Sequence, residues 1–162
     1  MSRTKTQKKE ILEKLDKIMS GAKSLVFVNI HGLKVEDATV MRRQLTNDGV
    51  GFFVAKKTLS QKALTDKKYT GSMPELVGEF GMAYGADLIA PARGVYEFQN
   101  KLKDRVTIIG GVFENKFMTK EEMLGIATIP PISTLHGMFV NVINSPIQGF
   151  VVALSKIAEK KQ

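Results

Sequence analysis

Ser24-Leu25-Val26-Phe27-Val28-Asn29-Ile30 is an almost continuous apolar run. A strand of this kind belongs inside a sheet with both faces covered, whereas a half-solvated strand alternates apolar and polar residues. His31-Gly32 reads as the turn that ends it. Upstream, residues 4–19 predict a helix with Ile11, Leu12, Leu15, Ile18 and Met19 on one face. Lys5, Lys8, Lys9, Lys14 and Lys17 occupy its other faces, and Ser20-Gly21 stops it. Downstream, residues 35–47 predict a second helix, with Val40, Met41 and Leu45 inward and Arg42-Arg43 outward. Residues 51–55 then predict a short strand and residues 58–65 a helix. After an irregular polar stretch over 69–78 come a strand at 81–84, a helix at 88–101 and a strand at 106–113 carrying a glycine bulge. This order suits an α+β, ferredoxin-like split βαβ domain with an added N-terminal helix and a helical insert. A doubly wound parallel sheet is the alternative, because strand order is not read from sequence.

The C-terminal part is helical throughout. Thr119 and Glu122 have the spacing of a capping box and predict a helix to about Ile129, broken by Pro130-Pro131. Leu135, Phe139, Val142 and Ile143 lie at helical spacing, and Ser145-Pro146 suits the cap and first position of a last helix. Its stripe is Ile147, Phe150, Val151, Leu154 and Ile157. That stripe either folds back on residues 133–144 as a hairpin or docks a partner. No internal repeat stands out. The expected division is a globular domain over 1–117, a helical linker over 118–131 and a C-terminal helical segment over 132–162.

Charge is placed unevenly. The chain carries a formal +8, and residues 1–70 hold 15 Lys and Arg against 7 Asp and Glu, while residues 71–162 hold 9 against 9. A basic half joined to a neutral half points to a polyanion on one side and a separate task on the other. Cysteine is absent, which excludes disulfides and thiolate chemistry and fits a reducing cytoplasm. No apolar signal segment follows Met1, and no run reaches the roughly 18–20 consecutive apolar residues of a membrane span. The two histidines, His31 and His136, have no carboxylate at ligand spacing, so neither a metal nor a cofactor is expected. The glycines at 78, 81 and 85 fit no phosphate-binding loop. Asp37, Asp87 and Glu97 read as solvated helix residues, so no catalytic residue is expected.

Lys56-Lys57 is singled out as a candidate site by its position. The pair sits where a strand ends and a helix begins, beside the unpaired N–H groups and positive dipole of a helix N-terminus. Such a corner suits phosphate. A solvated charged turn is the competing reading.

Taken in order, these features resemble the bacterial stalk-base family of the large ribosomal subunit, ribosomal protein L-ten, over essentially the full length. The carriers are the Lys-rich N-terminal helix, the strand Ser24–Ile30 ending in His31-Gly32, and Arg42 in the next helix. Val54-Ala55-Lys56-Lys57-Thr58-Leu59 lies over the family's Val-Val-Lys-Asn-Thr-Leu. Val77-Gly78, Gly111-Val112-Phe113-Glu114 and Ile126-Ala127-Thr128-Ile129-Pro130 match later segments. Departures are His31 for a usual Arg, Lys57 for Asn, and Glu79 for the Pro that commonly follows Gly78. The resemblance implies a cytoplasmic, ribosome-bound structural protein without catalysis. Its domain would grip large-subunit rRNA at the stalk base beside ribosomal protein L-eleven. Its last helix would carry dimers of the acidic stalk protein, which recruit translation GTPases; no membrane partner is implied. The expected RNA contacts are Arg3, Lys5, Lys8, Lys9, His31, Gly32, Lys34, Arg42, Arg43, Lys56, Lys57 and Thr58. The expected partner-binding residues are Ile147, Phe150, Val151, Leu154 and Ile157. Alternatives are a ribosome-assembly factor sharing the domain, or a small-molecule-binding α+β domain.

Overall fold

A computed structural model describes residues 5–67, 69–76, 78–102 and 105–160. The apolar run Ser24–Ile30 is β1, and residues 24–28 are all buried. The other strands are β2 (Val50–Val54), β3 (Phe80–Gly85), β4 (Val106–Phe113) and β5 (Lys116–Met118). The sheet order is β2-β3-β1-β4-β5, with every pair antiparallel. This is the split βαβ arrangement, and the antiparallel pairing overturns the doubly wound alternative. β1 reads as continuously apolar because helices cover both faces of the sheet, not because the sheet is parallel.

The helices are α1 (Lys5–Gly21), α2 (Val35–Asn47), α3 (Lys57–Asp66), α4 (Ala90–Lys101), α5 (Lys120–Ala127) and α6 (Ile132–Lys160). On one face of the sheet, Met41 and Leu45 of α2, Val95 and Phe98 of α4 and Met123 of α5 pack on Val26, Val28 and Ile108. On the other, Leu15 and Met19 of α1 and Ala63 and Leu64 of α3 pack on Leu25, Phe27, Met82 and Val112. Each fully buried large apolar side chain contributes about 1.5–3 kcal/mol.

Three local readings change. Val40, placed inward by spacing, is exposed; α2 buries a narrow stripe of Met41 and Leu45, and half-buried Ala38 lies at its edge. α1 runs through Gly21, because Ala22 N–H still donates to the Ile18 carbonyl at 3.0 Å. The strand β5 has no apolar pattern of its own and follows a tight turn at Glu114-Asn115, both with positive φ. The glycine bulge does form: Phe27 pairs with Gly110 but Val28 pairs with Ile108, leaving Ile109 as the extra residue. Gly111 is required there, since a Cβ would collide with the Leu25 carbonyl and the Met123 methyl group.

The chain divides into two compact units, Met1–Ile129 and Pro130–Gln162. The boundary expected at 117 therefore moves. The helix α5, expected as part of a linker, buries Met123 and Ala127 in the first unit's core. Its start is capped as its sequence implies, with Thr119 and Glu122 bonded reciprocally.

In the second unit, the break expected at Ser145-Pro146 does not occur. α6 is a single 29-residue helix with Pro146 inside it, so residues 133–144 and 145–160 form no hairpin. Proline removes one backbone bond and crowds the preceding turn, but here the helix continues on both sides. No residue of α6 is buried, and it is long and apolar enough to cross a membrane by length and composition. No unbroken apolar run signals this, because Asn141, Asn144, Gln148 and Ser155 interrupt it. They fall on one side of the helix, so α6 is two-faced.

Candidate nucleic-acid interface

Antiparallel pairing brings the C-terminal ends of β1 and β2 and the N-terminal end of β3 to one end of the sheet. The chain leaves β1 and β2 there to start α2 and α3, so both helix N-termini return to that end. Lys34 and Lys56 are the N-cap residues, and neither supplies a side-chain cap. The first turn of α2 holds Glu36 and Asp37, which offset its dipole, whereas the first turn of α3 holds no acid. α3 therefore keeps a positive end.

An open groove of about 840 Å³ lies across this end. Lys8 of α1, Arg42 of α2 and Lys56, Lys57 and Thr58 at the start of α3 line it, together with Glu79. Its apolar lining includes Ile30, Leu33, Phe52, Val54, Leu59 and Phe80. Phe52 is half-buried, and the Arg42 guanidinium stands 6.0 Å from its ring centre. The four cations are exposed. Among the described residues the only ion pair joins Arg105 to Asp37, at 3.4 Å. The groove cations are thus left to an outside anion. Asp37 is half-buried and pairs with Arg105, rather than standing solvated as its sequence setting implied.

Five of the expected contacts thus meet in one groove. His31, Gly32 and Lys34 are exposed at the same end of the sheet but outside the groove, where His31 N–H donates to the Arg105 carbonyl at 3.0 Å. Gly32, with φ +61°, makes the turn. Lys9 and Arg43 are exposed on α1 and α2 and do not line the groove. Arg3 and Val77 lie outside the described residues, as does the Lys5 side chain at the start of α1. Phe52 and Glu79 are groove residues that sequence reasoning missed. The Glu79 departure was their one signal. Two groups with shifted titration lie elsewhere: burial raises Tyr69, and the Thr119 backbone N–H and hydroxyl lower Glu122.

α6 presents the second surface. Ile147, Phe150, Val151, Leu154 and Ile157 are all at least half exposed. Because the helix is continuous, their stripe extends through Ile143 and Phe139 to Leu135. Leu135, Phe139, Ile143, Pro146, Phe150, Leu154 and Ile157 follow one another at steps of 4, 4, 3, 4, 4 and 3 residues. A period of eleven is about 3.67 residues per turn, so the stripe stays on one side of the helix.

The sequence profile of ribosomal protein L10 matches residues 3–100 of this chain. A large ribosomal subunit protein uL10 from Shouchella clausii is 34% identical over 163 aligned positions, which cover 100% of this chain and 98% of that protein. The protein of the same name from Bacillus licheniformis is 31% identical over the same coverage.

Proposed function

The chain belongs to the ribosomal protein L10 family, and from that membership and its basic groove we propose that its first unit grips ribosomal RNA at the base of the large-subunit stalk. As a member of that family the chain is a structural component of the large ribosomal subunit, cytoplasmic and ribosome-bound, and not an enzyme. The observation that carries this proposal is the meeting of Lys8, Arg42, Lys56 and Lys57, from three helices, in one groove with no carboxylate paired to them among the described residues. Lysine is a compact charge that suits phosphate, and the uncapped start of α3 adds N–H donors to the same anion. Lys5, Lys9, His31, Lys34 and Arg43 extend the positive surface beyond the groove.

The test is the salt dependence of binding to a stalk-base rRNA fragment. Each phosphate contact contributes roughly 0.7–0.9 to the slope of log K against log salt, so Lys56→Ala with Lys57→Ala flattens the slope by about 1.5. An unchanged slope assigns the two lysines to a solvated turn. The same reading gives α6 the role of anchoring acidic stalk-protein dimers, beside ribosomal protein L-eleven at the stalk base. An exposed apolar stripe on an otherwise unburied helix supports it.

A further inference from the structure

Glu79 is out of place in a site built for phosphate alone. It lines the groove with Lys8, Arg42, Lys56 and Lys57, and like them is exposed with no ion-pair partner among the described residues. A lone carboxylate there repels the phosphates that the lysines attract. The main chain that carries it is fixed: Ile30 N–H donates to the Glu79 backbone carbonyl at 2.9 Å, and Gly78 turns the chain before it at φ +72°. The groove also has more apolar lining than phosphate needs. Phe52 is half-buried in it, its ring beside Gly81, where a Cβ would come 2.7 Å from it, and the Arg42 guanidinium lies 6.0 Å from the ring centre. An aromatic ring with a guanidinium beside it is a surface on which an unstacked base can rest.

We propose that this groove takes one unstacked guanine of its RNA, with the base against Phe52 and Arg42 and its Watson–Crick edge on Glu79. The inference rests on the RNA-binding reading above. The choice of base follows from donor patterns. An ionised carboxylate only accepts hydrogen bonds, through two neighbouring oxygens. The guanine edge alone offers two adjacent donors, N1–H and the N2 amino group. Cytosine and adenine place a ring-nitrogen acceptor beside their amino donor, and uracil flanks its N3–H with two carbonyls. Each of these sets a lone pair against Glu79. The lysines hold the flanking phosphates, so backbone affinity and base choice reside in different side chains.

The test uses the full chain and five nine-nucleotide RNAs, a central G, inosine, A, C or U between runs of four uridines, with dissociation constants from fluorescence anisotropy at three salt concentrations. The wild type is expected to bind the G probe about tenfold more tightly than the other four, inosine included because it lacks the N2 amino group; this is within the range for a bidentate base contact. Glu79→Gln is expected to weaken the G probe and to tighten the A, C and U probes about twofold, because a repulsion is removed. Phe52→Leu lowers the G preference as well. If Glu79→Gln tightens all five together, the carboxylate only repels backbone and the inference falls. If the wild type binds all five equally and with a strong salt slope, the base reading falls and the RNA reading stands. If neither these probes nor the stalk-base rRNA fragment binds, both fall.

Discussion

Thr119 and Glu122 show how much a four-residue pattern can carry. The Thr119 N–H donates to Glu122 Oε2 at 2.8 Å, and the Glu122 N–H donates to Thr119 Oγ1 at 3.4 Å. The first of these bonds is made to the charged carboxylate, which is why Glu122 titrates below the ordinary glutamate range. A group whose folded value is lowered stabilises the fold above its unfolded value and loses that contribution as pH falls through the lowered one. Acidification from neutral pH to below the ordinary range therefore weakens the start of α5. Thr119→Ala should cost about 1 kcal/mol at neutral pH, as loss of an N-cap does. Urea midpoints measured at pH 7 and pH 3 should show that difference shrinking at the lower pH; an equal difference at both would leave the effect to the Glu122 N–H bond on Thr119 Oγ1, with nothing from the hydroxyl's bond to the charged carboxylate. Sequence made this cap legible because both partners lie within one turn. It did not make Glu79 legible as a groove residue, because its neighbours there, Lys8, Arg42 and Lys57, come from distant parts of the chain. Long-range placement leaves no local pattern.

Elements were read well where one face is buried and poorly where none is. β1, α2 and β4 have the limits their sequences imply, each having a clear apolar pattern or sharp turn residues. β5 has three residues and forms because β4 offers an open edge after a tight turn, which composition does not reveal. α6 was read as two helices because Ser145-Pro146 is a strong start signal. The apolar stripe, running unbroken past Pro146 at a period of eleven, was the stronger indicator. A solitary amphipathic helix draws its stability from a packing partner, and Phe150 and Leu154 are 66% and 50% exposed. Docking that buries them contributes on the order of 1.5–3 kcal/mol for each. Phe150→Asp with Leu154→Asp should abolish co-purification of acidic stalk-protein dimers, while binding of the first unit to rRNA stays near wild type. Native mass spectrometry of the complex reads both. A full complement of dimers on the double variant would remove the stripe from the anchoring role.

At the scale of the whole molecule, the positive charge and the exposed apolar stripe lie in different units. All of the net charge lies in the first 70 residues, within Met1–Ile129, and the exposed apolar stripe lies within Pro130–Gln162. The partition was legible from charge and from Pro130-Pro131, but the limit of the first unit was not, since α5 carries few apolar residues. Those few decide the matter: Met123 and Ala127 are buried, and Met123 packs where Gly111 leaves room for it. Two truncations separate the readings. A fragment ending at Ile129 keeps α5 and should unfold cooperatively and bind the stalk-base rRNA fragment with the full-length salt slope. A fragment ending at Phe117 loses the burial of Met123, Ala127 and their half-buried neighbours Leu124 and Ile126. That loss is on the order of 3 kcal/mol or more, a large fraction of the roughly 5–15 kcal/mol that a domain of this size has to lose. Its urea midpoint should fall sharply, and its RNA affinity with it at physiological temperature. Equal midpoints for the two fragments would return α5 to the role of a linker. Loss of cooperative unfolding in the fragment ending at Ile129 would instead mean that α6 contributes to the stability of the first unit.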